Sequence, residues 1–299
     1  MIISFRKYAV FIIIPIIAVA VLLYSVASNN VDQFFAHESE LAETSINSTN
    51  SLIQQYLKDL RTNVGHFATN NQDELQQLID SPKNQKLQRK VHDLVDHYFP
   101  GSVTYTLANS EGRVILKDIE TLIGKGCREN IRLFAISNKQ SDAQLRIHSD
   151  RLNYHFDIMH EMHAKDGRIV IFFVSFEPDR IAQFISNIQL PGHQLMILKK
   201  DADSLIEVTE VGARVKLNRD TTLTEAEHTR ILASMDVVDT LWQLVDILDE
   251  NRIQRAKFIV FRDFGIIFAS FLLGGLLAFV AIMKHEKLQF IAESKLGSK

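Results

Sequence analysis

The chain has 299 residues, 46% of them hydrophobic, a net charge of −3 and a mean hydropathy near zero. It is too apolar for a disordered protein and too polar for a polytopic transporter, so most of it folds in water. A single cysteine, Cys127, excludes an intrachain disulfide, and the fold must rest on its core.

Two segments supply the excess hydrophobicity. Tyr8 to Ala27 and Phe264 to Met283 each run for 20 residues without a charge, which at ~1.5 Å per residue crosses a hydrocarbon core of ~30 Å. Ser25-Val26-Ala27 resembles a signal-peptide cleavage site, but the apolar run is longer than such peptides carry, so the segment is expected to stay as an anchor. Arg6 and Lys7 precede it, while Asp32, Glu38, Glu40 and Glu43 follow with no Lys or Arg before Lys58. This asymmetry places residues 1–7 in the cytoplasm. A second span returns the tail, 284–299, to the same side, where Lys284, Lys287, Lys295 and Lys299 outnumber Glu286 and Glu293. Arg252, Arg255, Lys257 and Arg262, just outside the second span, run against the rule. Each short end carries +2, leaving −7 on the residues between them, so nucleic acid is not an expected partner.

Within the outer segment, 28–262, a helical stalk comes first, 28–99. Apolar residues from Val31 to Leu60 recur at spacings of three, four and seven, predicting a long helix that continues out of the membrane to Asn70. A second helical region, Asp73 to Tyr98, breaks near Ser81-Pro82, and Pro100-Gly101 ends it. A main α/β unit, 100–190, then opens with a hairpin of Val103 to Ala108 and Arg113 to Lys117. Arg128 to Ile136 reads as a helix, followed by strands Ala143 to His148, Tyr154 to His163 and Arg168 to Phe176, the last two joined by a two-residue Asp166-Gly167 type I′ turn. Pro178 to Asn187 reads as helix. A smaller unit, 191–250, holds strands His193 to Lys199, Leu205 to Val211 and Leu241 to Ile247, with a helix from Thr224 to Ser234. The fold class is therefore α+β, two transmembrane helices flanking a domain with antiparallel sheet and a long N-terminal helix.

This order of elements resembles the extracytoplasmic PAS-like sensors of bacteria, Cache-type domains above all, over residues 29 to 262. The resemblance implies a two-pass protein of the bacterial inner membrane, its domain outside, sensing a small ligand and signalling to a cytoplasmic or membrane partner. The amino-acid-binding pattern of those domains, an Arg, one residue, then Trp-Tyr, is absent, since Trp242 precedes Gln243. The sixteen-residue tail is too short for an output domain, so output falls to a partner in the membrane or to a domain outside this sequence.

Alternation on Tyr154 to His163 puts Tyr154, Phe156, Ile158, His160 and Met162 on one face and His155, Asp157, Met159, Glu161 and His163 on the other. If Ser149 to Leu152 turns the preceding hairpin, His148 pairs with Asn153 and Arg146 stands opposite His155. Arg146, His155 and Asp157 then form a candidate site for a small anionic or zwitterionic ligand. Cys127, between Lys125 and Arg128 near a helix start, is a candidate redox residue. No metal site is expected, because His160, Glu161 and His163 lack the helical two-histidine spacing, and His97, His148 and His193 read as surface or edge residues. No cofactor is expected either, since Gly124-Lys125-Gly126 lacks the phosphate-loop spacing, and no enzymatic motif is legible. Ser270, Gly274 and Ala278 form a small-residue stripe for helix association, with a second copy or a membrane partner. The competing reading is an envelope scaffold that binds proteins and senses nothing.

Overall fold

The computed structural model describes residues 2–116, 125–137, 145–149, 154–202 and 204–296. The chain divides into two compact units, one built from the N-terminal 38 residues with the chain from Glu250 onward, the other from Ser39–Asp249.

In the first unit, the opening part of helix α1 (Ile2–Asn70) and helix α7 (Glu250–Leu296) each contain a stretch long and apolar enough to cross a membrane. Arg252 engages Glu38 with both arms of its guanidinium, Nη2 donating to Oε1 at 2.8 Å and Nε to Oε2 at 3.2 Å, and the Lys257 ammonium lies over the Phe35 ring. Two of the four basic residues that run against the charge rule are thus engaged by α1 side chains. Ser270, Gly274 and Ala278 are exposed, and a Cβ at Gly274 would meet nothing within 4 Å.

The second unit carries two antiparallel sheets. Sheet one has the order β1 (Ser102–Asn109), β4 (Ile169–Phe176), β3 (Tyr154–His163), β2 (Ile147–Ser149). One face packs against α1, whose Ile53, Leu57, Leu60, Val64 and Phe67 are buried at spacings of three and four. Phe67 stacks on Phe172 at 5.4 Å, and helices α2 (Gln72–Asp80) and α3 (Gln85–Tyr98) complete this core. The other face packs against α4 (Lys125–Ser137), through Ile131 and Phe134 against Ile171, Phe173 and Met159. The β3 alternation read from the sequence holds: Phe156, Ile158 and Met162 join the α1 core, while Met159 joins the α4 core.

Sheet two has the order β7 (Gly212–Ala213), β6 (Ile206–Thr209), β5 (His193–Lys199), β9 (Trp242–Leu248), β8 (Ile231–Asp236), after helix α5 (Asp179–Ile188). Trp242 meets Phe156 edge-to-face at 5.7 Å, joining the two cores.

Three expectations change. The Asn109 turn forms, its side chain accepting from the backbone of Glu111 and Arg113, but the return segment makes only an isolated bridge, Ala108 to Val114, and the partner of β1 is β4. Lys117 lies outside the described residues. The turn after β3 is not type I′, which needs positive φ at both central residues; only Gly167 has it, at +83°, within a loop closed by Ala164 N–H to Arg168 C=O. The helix expected from Thr224 to Ser234 lasts one turn, α6 (Glu225–His228), behind a capping box of Thr224 and Glu227. The following Ile231–Asp236 pairs with β9 as β8, so cross-strand pairing overrides the helical propensity of Leu232, Ala233 and Met235.

Candidate ligand site beneath α4

Sheet one presents unlike faces. The face toward α1 is almost wholly apolar, apart from His160, which sits half-buried where a Cβ on Gly65 would come within 3.2 Å of its ring. Burial lowers the His160 pKa below its usual value, against a smaller opposing pull from Glu161. The face toward α4 collects polar groups instead. β3 contributes His155 and Asp157, β2 contributes His148, β4 contributes Ser175, and the first turn of α4 contributes Cys127. All are buried: Asp157 is 3% exposed, His155 6%, His148 8% and Cys127 2%.

Their geometry is convergent. Ser175 Oγ donates to Asp157 Oδ1 at 2.6 Å. His148 Nε2 lies 3.6 Å from Asp157 Oδ2, His155 Nε2 lies 3.8 Å from Oδ1, and Cys127 Sγ lies 3.4 Å from that same His155 Nε2. In a nucleophile–histidine–carboxylate relay the two partners take opposite ring nitrogens. Here thiol and carboxylate approach one nitrogen, so the arrangement is not such a relay.

Around this cluster, buried polar atoms lack donors or acceptors. Among the described residues Asp157 Oδ2, Arg146 Nε, Asn130 Oδ1 on α4 and Thr106 Oγ1 on β1 have no hydrogen-bond partner. Each such group costs about 1–3 kcal/mol when left unmet. The segments joining β1 to α4, α4 to β2 and β2 to β3 include 117–124, 138–144 and 150–153, which lie outside the described residues.

Of the residues expected at the site, His155 and Asp157 are brought together, and Cys127, read separately as a redox candidate, joins them. The register differs. His148 pairs with His155, not with Asn153, and Asn153 lies outside the described residues. The slip is two residues, which keeps every side chain on its face; Arg146 therefore shares the face with Asp157 but no longer stands opposite His155. Leu145, its neighbour, forms a parallel bridge to Thr240 in the turn before β9. His148 lies on the edge strand β2 but is buried, His193 is buried on an inner strand, and His97 is exposed as expected. Sequence reasoning missed His148 and Ser175; the one usable signal was their place on strands adjacent to β3, with the parity of Asp157.

No family model matches the chain, and no curated protein matches it. Solved structures do resemble it. The chain is similar to bacterial sensor domains. The sensor domain of the V. cholerae histidine kinase DctB matches with a TM-score of 0.47 at 9% identity, over 73% of this chain and 98% of that one. A domain of a putative sensory box/GGDEF family protein from Vibrio parahaemolyticus matches at 0.46 and 10%, over 75% and 99%. An extracellular ligand binding receptor from Desulfohalobium retbaense matches at 0.42 and 13%, over 68% of this chain, which spans only 39% of that receptor. Likeness this distant assigns no ligand and no output, and both are argued from the chain's own residues.

Proposed function

We propose that the protein is a membrane-anchored sensor whose ligand binds between α4 and sheet one. The observation that carries this reading is the approach of two buried imidazoles, His148 and His155, to the buried Asp157 carboxylate at 3.6 and 3.8 Å, with the Cys127 thiol 3.4 Å from one of them. A face evolved only for packing would resemble its opposite side, where Phe67, Phe156 and Phe172 fill the core.

A route outward from the site is built into the fold. β2 carries His148, and the residue just before Arg146 is tied to the turn preceding β9 by Leu145 N–H to Asp239 C=O at 3.1 Å and Leu241 N–H to Leu145 C=O at 2.8 Å. β9 ends at Leu248 and α7 begins at Glu250. A guest that draws β2 toward α4 therefore bears on the strand that leads into α7. To signal, it must bind one arrangement of these elements more tightly than another. In this reading α1 and α7 span the bacterial inner membrane, both ends are cytoplasmic, 39–249 lies outside, and output belongs to a membrane or cytoplasmic partner engaged as a dimer or complex.

Hydrogen exchange on the full chain in lipid nanodiscs, with a library of small anions, amino acids and metal ions, tests the site. A ligand should protect 145–149 and 154–159, and the protection should vanish in His155→Ala. Protection confined to the outer face of sheet two, or none from any compound, would remove the site from this face.

A further inference from the structure

The donors gathered beneath α4 form a mixed thiol, imidazole and carboxylate set. We propose that Cys127 Sγ, His148 Nε2 and a carboxylate oxygen of Asp157 bind one divalent transition ion of the zinc class. The proposal rests on the reading of this cluster as the ligand site and names the chemistry of the guest.

The distances carry the argument. Nitrogen–oxygen hydrogen bonds close to about 2.7–3.2 Å, and the His148–Asp157 and His155–Asp157 separations, 3.6 and 3.8 Å, are too long for them. In tetrahedral zinc the metal–ligand bonds are about 2.0–2.3 Å, which sets ligand atoms about 3.3–3.8 Å apart along the edges. The 3.6 Å from His148 Nε2 to Asp157 Oδ2, the carboxylate oxygen that Ser175 leaves open, falls there. The atoms of Cys127, His148 and Asp157 all lie within 4.8 Å of one another, so about an ångström of closure brings them to one ion.

The surroundings suit an ion. Ser175 occupies Asp157 Oδ1 and so orients the carboxylate, while Oδ2, on the His148 side, accepts no hydrogen bond among the described residues. A donor that fixes one carboxylate oxygen is the usual support behind a metal-bound carboxylate. Cys127 lies in the first turn of α4 and is buried, 2% exposed, on the side of sheet one that carries Asp157. Gly126 leaves room for the imidazole, since a Cβ there would lie 3.1 Å from His148 Nδ1. Binding deprotonates the thiol, releases that proton to solvent, and forms bonds from the ion to sulfur, nitrogen and oxygen without any change of oxidation state. One thiolate and one carboxylate neutralise the divalent charge, as a buried site requires.

The test is cobalt(II) titration of the untagged, metal-stripped full chain in detergent. The expected result is one ion per chain, a tetrahedral cobalt spectrum and a thiolate-to-cobalt charge-transfer band that Cys127→Ser abolishes. Asp157→Asn, nearly isosteric, should weaken zinc competition at least tenfold with an unchanged circular dichroism spectrum, and it reads the site even where the cysteine variant does not fold. Substoichiometric uptake by folded wild type, or a band that survives Cys127→Ser, would overturn the proposal. A chain stabilised by an organic ligand but silent to cobalt would overturn the metal and leave the sensor reading standing.

Discussion

Both sheets of the outer domain bury a histidine against an aspartate, yet the pairs differ in kind. In sheet two His193 Nδ1 meets Asp246 Oδ1 at 2.9 Å, with both side chains fully buried. In sheet one the corresponding separations stretch to 3.6 and 3.8 Å, and two imidazoles share one carboxylate, with a thiol 3.4 Å from one of them. Each aspartate leaves its Oδ2 without a hydrogen bond among the described residues, so an unmet oxygen alone does not separate them. Distance and number do. In sheet two one imidazole meets the carboxylate at hydrogen-bond length; in sheet one two imidazoles face a carboxylate from beyond that length.

The largest expected effect lies in sheet two. His193→Ala strands a buried carboxylate and should cost about 3–5 kcal/mol, read as a lower denaturation midpoint. Asp157→Asn keeps the Ser175 contact and removes a buried charge, so in metal-free protein it should shift stability by less than about 1 kcal/mol. Equal losses from both variants would erase the distinction between pair and site. Gly126→Ala sharpens it further. Alanine gains up to about 1 kcal/mol of helix propensity while its Cβ presses on His148, so this variant should match or exceed wild type in stability and bind zinc about 10–100-fold more weakly.

Two smaller effects belong to groups outside the site. His160 titrates below its usual pKa in the folded chain because burial disfavours its charged form. The unfolded chain then binds the extra proton first, so stability is full above about pH 6.5 and falls as pH drops toward the folded pKa. His160→Gln should flatten that acid-side slope in pH-dependent melts. Burial pushes the Glu227 carboxyl up, but the Arg219 guanidinium and the Thr224 backbone and hydroxyl donors outweigh it and hold it at about 2. Thr224→Ala removes the cap of α6 for about 1 kcal/mol, and the acid arm governed by Glu227, lost as pH falls from about 4.5 toward 2 in wild type, should become shallower and end at higher pH.

What the sequence disclosed follows from what is local. Charge-free runs marked α1 and α7, spacing marked the outgoing helix to Asn70, and alternation set both faces of β3 to the residue. The Ala143 to His148 strand shortened to Ile147–Ser149, and residues 143–144 lie outside the described ones. β8 was misread because Leu232, Ala233 and Met235 favour helix locally and become strand only through β9. The site was half legible for the same reason. His155 and Asp157 share one strand, so their common face could be read from parity. Cys127, His148 and Ser175 arrive from three other elements, and only sheet register and the seating of α4 bring them to the same carboxylate.

The most direct measurement is thermal unfolding of the metal-stripped full chain in detergent as zinc is added. The midpoint should climb with zinc, by a free energy near 4 kcal/mol at about a thousandfold excess over Kd, and climb by much less in Cys127→Ser and Asp157→Asn, each read against its own starting midpoint. A midpoint indifferent to zinc and to every small ligand, or an equal climb in both variants, would contradict a ligand site on the α4 face of sheet one.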